Sequence, residues 1–222
     1  MRLTVFDLDH TLLNGDSDYG WGQFMVRHGL VDAEVYARKN AEFYAAYQAG
    51  TLDQGAYLAF SLEPLTRYSM AELQAWHRQF MAEDIAPLMT ARGRSLVRER
   101  LEAGDLVVIA TSTNSFITRP IAQAYGVEYL IATDPEQKDG RYTGRIAGTP
   151  AFQEGKVERL HAWLRERGRQ LDEFAQSWFY SDSTNDLPLL EAVTHPVAVD
   201  PDGALRRIAG ERRWPVISLR DP

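Results

Sequence analysis

Hydrophobic and polar positions follow two regimes along the 222-residue chain. Short apolar runs that stop on a polar residue recur at "LTVF" (3–6), "LVVIAT" (106–111), "EYLIAT" (128–133) and "SWFYSDS" (177–183). "VAV" (197–199) and "PVISL" (215–219) complete the set. Runs of this length, bounded by turn residues, predict buried strands. Between them the spacing is helical. "ARGRSLVRERLEAG" (91–104) ends on a glycine as helices do, a helix is expected over 117–125, and "EGKVERLHAWLRERG" (154–168) is amphipathic and closed by Gly168. "KDGRYTGRI" (138–146) reads as a hairpin turning at Asp139-Gly140. Strands alternating with helices predict an α/β fold, a Rossmann-like doubly wound sheet that is mainly parallel.

Residues 16–86 break this alternation. Tyr and Trp are frequent, β-branched residues are few, and apolar positions recur at helical spacing, as in Tyr36, Phe43, Tyr44 and Tyr47, or Leu73, Trp76 and Phe80. The block predicts an all-helical unit inserted into an α/β core made of residues 1–15 and 87–222, with "IAPLM" (85–89) carrying the chain back. Aromatic side chains at helical spacing are expected mainly in the core. At most one or two of Trp21, Phe43, Tyr44, Tyr47 and Trp76 are expected to reach a ligand.

Composition narrows the function classes. A net charge of -7 argues against binding nucleic acid. With no cysteine there is no disulfide and no thiolate chemistry. No uncharged apolar stretch reaches the ~18 residues a membrane span needs, so a cytoplasmic protein, monomer or homodimer, is expected. Lysine is rare: only Lys39, Lys138 and Lys156.

The candidate chemistry lies where the predicted strands end. Asp7 and Asp9 follow the first, Thr111 closes the second, and Asp182 with Asp186 follow a later one. In such sheets ligands bind at the carboxyl ends of strands. Carboxylates gathered there repel one another, yet together they suit a hard divalent cation such as Mg²⁺, which takes oxygen ligands and leaves room for water and phosphate. Lys156 opens the helix before the last of these strands and could neutralise phosphoryl oxygens, and Thr111 could donate to one of them.

Asp7, Asp9 and Thr11 as DxDxT, the strand ending at Thr111, Lys156, and Asp182, Asn185 and Asp186 as DxxND occur in this order. The set resembles the four motifs of the haloacid dehalogenase-like superfamily, and the insertion at 16–86 resembles the helical cap of its phosphoserine-phosphatase-like branch. The resemblance implies an enzyme that hydrolyses phosphoric monoesters. Asp7 would be the nucleophile forming an aspartyl-phosphate, and Asp9 the general acid and then base. Mg²⁺ would be held by the side chains of Asp7 and Asp182 and the main-chain carbonyl of Asp9. Asp186 would hold waters or Lys156, and Asn185 would lie near the substrate. Thr11, Thr111, Ser112, Thr113, Asn114 and Lys156 are expected around the phosphoryl group and substrate.

Two features depart from that branch. "TSTN" (111–114) stands where relatives often have Ser-Gly-Gly, and Asp16 stands near the position of a cap glutamate that grips the substrate amine. "TSTNSFITRPIA" and "GTPAFQEGK" are more similar to bacterial members assigned to histidinol phosphate. The resemblance therefore implies a small phosphorylated metabolite as partner, histidinol phosphate first. Phosphoserine hydrolysis, or phosphotransfer or mutase chemistry on the same core, is the alternative. Asp16 or Asp18 would suit a substrate amine.

Overall fold

The structure, a computed structural model, describes residues 1–221. Seven strands form one sheet: β1 (Arg2–Phe6), β2 (Leu106–Asn114), β3 (Tyr129–Lys138), β4 (Arg141–Ala147), β5 (Gln176–Ser181), β6 (His195–Val199) and β7 (Val216–Ile217). Their order is β4-β3-β2-β1-β5-β6-β7, and every pairing is parallel except the β3–β4 hairpin. The chain winds outward from β1 in one direction through β2 to β4, then in the other through β5 to β7. The carboxyl ends of β1, β2 and β5 therefore lie side by side at the switch point, where α/β sheets bind ligands.

Alternation along β1 explains its central place. Leu3 and Val5 face a core with Leu160, Leu164, Leu189 and Leu205, while Phe6 faces one with Trp21, Phe24, Phe80 and Ile117. A strand apolar on both faces needs helices on both.

Four helices follow the first strand: α1 (Ser17–Arg27), α2 (Ala33–Gln48), α3 (Gln54–Leu62) and α4 (Met70–Phe80). Each starts where a short polar side chain takes up free N–H groups: Asp16, Asp32, Asp53 and Ser69. A π-turn at Met81–Ile85 and the short α5 (Ala86–Leu88) bring the chain back. There Leu13 pairs with Met89 across an antiparallel bridge, and Asn14 N donates to Leu88 O over 2.8 Å. The helical excursion thus leaves and rejoins the sheet domain at one point.

The remaining helices are α6 (Ala91–Glu102), α7 (Ser115–Ala124), α8 (Glu154–Arg165), α9 (Leu187–Ala192) and α10 (Gly203–Arg212). α9 and α10 go beyond the helices expected from the apolar spacing. α8 stops three residues short of Gly168, which takes a left-handed φ of 65° in the turn that follows. β2 runs past Thr111 to Asn114 because its pairing with β3 skips between Ala110 and Asn114. That irregularity carries Thr111, Ser112 and Thr113 to the rim of the pocket described next.

Candidate active site

Asp7 leaves the end of β1 with its main-chain N–H still donating to Tyr180 O of β5 at 2.9 Å. Its carboxylate is nearly buried and doubly held. Oδ1 lies 3.0 Å from Lys156 Nζ, and Oδ2 lies 3.0 Å from Thr11 Oγ1. Thr11 Oγ1 is also 3.0 Å from Asp182 Oδ1 and accepts from Asp182 N at 3.1 Å. Its one proton can go to only one carboxylate, so Asp7 and Asp182 face each other across a single hydroxyl. This corrects the expectation for Thr11. It is fully buried and does not line the pocket, but links β1 to β5 behind the site.

Lys156 is 1% exposed and sits 2.6 Å from Asp186 Oδ1 as well as beside Asp7. Burial works against its charge, but Asp186 and Asp7 outweigh burial and raise its pKa, so it stays an ammonium. Asp186 also accepts from Ser181 Oγ at 2.7 Å. Two buried or nearly buried carboxylates, Asp7 and Asp186, thus share one ammonium, and the half-buried Asp182 meets Asp7 only across the Thr11 hydroxyl. Burial, then the charges of Asp7 and Asp186, hold the Asp182 carboxyl well above the usual range. The excess is negative and every unfilled donor is an oxygen, a set that fits Mg²⁺. Among the described residues no three His, Asp or Glu side chains converge as a cage. A site of two carboxylates and a main-chain carbonyl would not form one.

Asp9 sits at the foot of α1. Ser17 N donates to its Oδ1 over 2.6 Å and Thr113 Oγ1 to its Oδ2 over 2.8 Å. Burial chiefly, then the charge of Asp16, pushes this carboxyl up to about 6. A carboxyl in that range exchanges a proton near neutral pH, as a general acid and base must. His10, beside it, takes a left-handed φ of 57°, and its carbonyl and that of Leu13 accept from Arg220.

The other expected residues divide. Thr111 Oγ1 accepts from Thr113 N at 3.2 Å, and its own proton is given to no protein group among the described residues. Ser112 and Asn185 line the pocket. Thr113 lines it too, but turns its hydroxyl to Asp9 rather than to open space. Asn114 is 3% exposed, and its Oδ1 caps α7 by accepting from Ile117 N. Asp16 caps α1, with Oδ1 accepting from Asp18 N and Tyr19 N.

The pocket reaches from these residues up to α1, α2 and α3, where Asp18, Tyr19, Phe43, Tyr44, Tyr47 and Tyr57 line it. Of the five aromatics weighed for a ligand, Phe43, Tyr44 and Tyr47 reach it, one more than expected, and Tyr19, Tyr57 and Phe152 line it as well. Trp21 is instead buried against Phe24, Phe80 and Phe116, and Trp76 packs on Tyr68. Sequence reasoning missed Tyr19 and Tyr57. Tyr19 lies one residue from Asp18 and Tyr57 opens α3, the only available signals.

A family model described as haloacid dehalogenase-like hydrolase matches residues 4–191. The chain belongs to this family. The hydrolase class expected from the four motifs is thereby met. Within the family, the chain is 48% identical to a histidinol-phosphatase of Neisseria meningitidis serogroup C (strain 8013), over 99% of both chains. A crystal structure of a protein of unknown function from Bordetella pertussis Tohama I is 52% identical and superposes with a TM-score of 0.95, covering 99% of both. A phosphoserine phosphatase solved as a phospho-aspartyl intermediate analogue shares the fold at 16% identity, with a TM-score of 0.68 over 98% of this chain and 93% of that one.

Proposed function

We propose that the chain is a Mg²⁺-dependent phosphatase of small phosphate monoesters, working through an aspartyl-phosphate on Asp7, with histidinol phosphate as its substrate. The observation that carries the reading is the placement of Asp7. It is an acceptor-only carboxylate at the switch point, fixed by Lys156 and Thr11, beside an Asp9 whose pKa is raised.

An Asp7 oxygen attacks phosphorus and the bond to the ester oxygen breaks. Asp9, as the acid, gives its proton to that oxygen, so an alcohol leaves. Asp9, now a carboxylate, takes a proton from water. The water oxygen attacks the phosphorus of the aspartyl-phosphate, releasing inorganic phosphate and restoring Asp7. Lys156 stabilises the phosphoryl oxygens throughout, and Thr111 has a proton free to donate to one of them. Mg²⁺ would be held by Asp7, Asp182 and the Asp9 carbonyl and would supply further charge neutralisation on the phosphoryl group.

Residues 16–86 act as a cap over a core of residues 1–15 and 87–222. Closure by so small a unit suits a metabolite and excludes water during the chemistry. The 48% identity to a histidinol-phosphatase supports the substrate. The test is phosphate release from histidinol phosphate, phosphoserine and an aryl phosphate. Release from histidinol phosphate should be fastest, should stop with chelator and with Asp7→Asn, and should fall by about 10²–10⁴-fold with Asp9→Asn. Release that survives chelator or Asp7→Asn would refute the mechanism.

A further inference from the structure

Each carboxylate around the pocket has a partner that accounts for it, except one. Asp7 has Lys156, Asp9 has Ser17 N and Thr113, and Asp16 has the first N–H groups of α1. Asp18 lies in the first turn of α1, and its side chain meets only the phenol of Tyr57, which donates to Oδ2. No Lys, Arg or His side chain among the described residues pairs with it. It nevertheless lines the pocket together with the catalytic carboxylates.

The walls around Asp18 are aromatic. Tyr19 and Tyr44 lie 4.8 Å apart between ring centres, and Phe43 and Tyr57 lie 5.4 Å apart, all four lining the same pocket. A carboxylate attracts any cation; ring faces add cation–π attraction for an ammonium or a flat imidazolium seated between them. The pocket is therefore polarised. Lys156 stands at the end that would hold the phosphate, and Asp18 at the end under α2 and α3.

We infer that Asp18, held by Tyr57 and walled by Tyr19, Phe43 and Tyr44, forms a subsite for the protonated amine or imidazole of the phosphate ester. This rests on the phosphatase reading for the other end of the ligand. It assigns the selecting charge to Asp18 rather than to Asp16, whose carboxylate is the N-cap of α1. Burial, opposed by the Tyr57 hydrogen bond and reinforced by Asp16 and Asp9, also pushes the Asp18 carboxyl up to about 7, and a bound cation would draw it down again.

The test uses the full chain and the probe L-histidinol, a cation without phosphate, titrated by calorimetry. Asp18→Asn should weaken binding by about 10- to 100-fold, the range expected for losing a charge-assisted contact. The preference in kcat/KM for histidinol phosphate over an aryl phosphate should shrink by a similar factor, through KM. Tyr57→Phe should weaken binding less, and Asp16→Asn, which keeps the cap, should retain the preference. Wild-type protein that binds L-histidinol no better than Asp18→Asn, or a loss that follows Asp16→Asn instead, would overturn the assignment. The aryl phosphate separately reports the phosphatase reading. If no ester is hydrolysed, that reading fails while the L-histidinol titration still decides the subsite.

Discussion

At the scale of single residues, the pocket keeps charges that folding alone would discard. Asp18 is the plainest case, a carboxyl pushed up to about 7 with only neutral Tyr57 as a hydrogen-bond partner. Between the ordinary carboxylate range and about pH 7 the folded chain binds this proton and the unfolded chain does not. Wild-type stability therefore falls as pH rises through that window. Asp16 and Asp9 face Asp18 with like charge, and Tyr57 and Tyr36 face it from α3 and α2, so no neighbour reverses the sign. Asp18→Asn should melt higher than wild type at pH 8, by a few degrees, with the gap closing towards pH 5. A gap that does not change with pH would contradict this. Such a residue, unfavourable to the fold and central to the pocket, is what a binding role leaves behind.

At the scale of elements, the site depends on how strand ends and helix starts meet. α8 begins so close to the preceding loop that a Cβ on Gly155 would fall against the carbonyl oxygen of Pro150, well inside contact distance. Gly155→Ala should shift the first turn of α8 and with it Lys156. The expected outcome is a large loss of kcat and a lower melting temperature; unchanged kcat would show that the turn absorbs the methyl. The strands were legible in the sequence because runs such as "LVVIAT" are apolar on both faces and bounded by turns. The DxDxT and DxxND spacings placed Asp7, Asp9, Asp182 and Asp186 at strand ends for the same reason. The aromatics of α1 to α3 were not legible. Helical periodicity says which residues share a face, not whether that face meets core, as Trp21 does, or pocket, as Tyr19 and Tyr57 do. Nor could the sequence give the pairing irregularity in β2 that turns Thr113 towards Asp9.

At the scale of the whole molecule, the candidate active site is a knot that ties distant parts of the chain together. Thr11 joins β1 to the end of β5, Lys156 joins α8 to both, and Arg220 near the end of the chain grips the carbonyls of His10 and Leu13. Among the described residues no helix is long and apolar enough to cross a membrane. With the proposed Mg²⁺ held there, excess negative charge at the knot should make the fold itself responsive to the ion. Mg²⁺ at about a hundredfold above its Kd should raise the melting temperature by about 5–10 °C. Asp182→Asn should lose that response while melting no lower than wild type in chelator, and an equal Mg²⁺ response in the variant would place the ion elsewhere. The proposed mechanism turns on Asp7 as nucleophile. The most direct measurement is rapid acid quench of the Mg²⁺-loaded enzyme after mixing with histidinol phosphate labelled on phosphorus. The label should appear on the protein, map to Asp7, and be absent from Asp7→Asn. Full turnover with no label on the wild-type chain, or label that persists in Asp7→Asn, would contradict it.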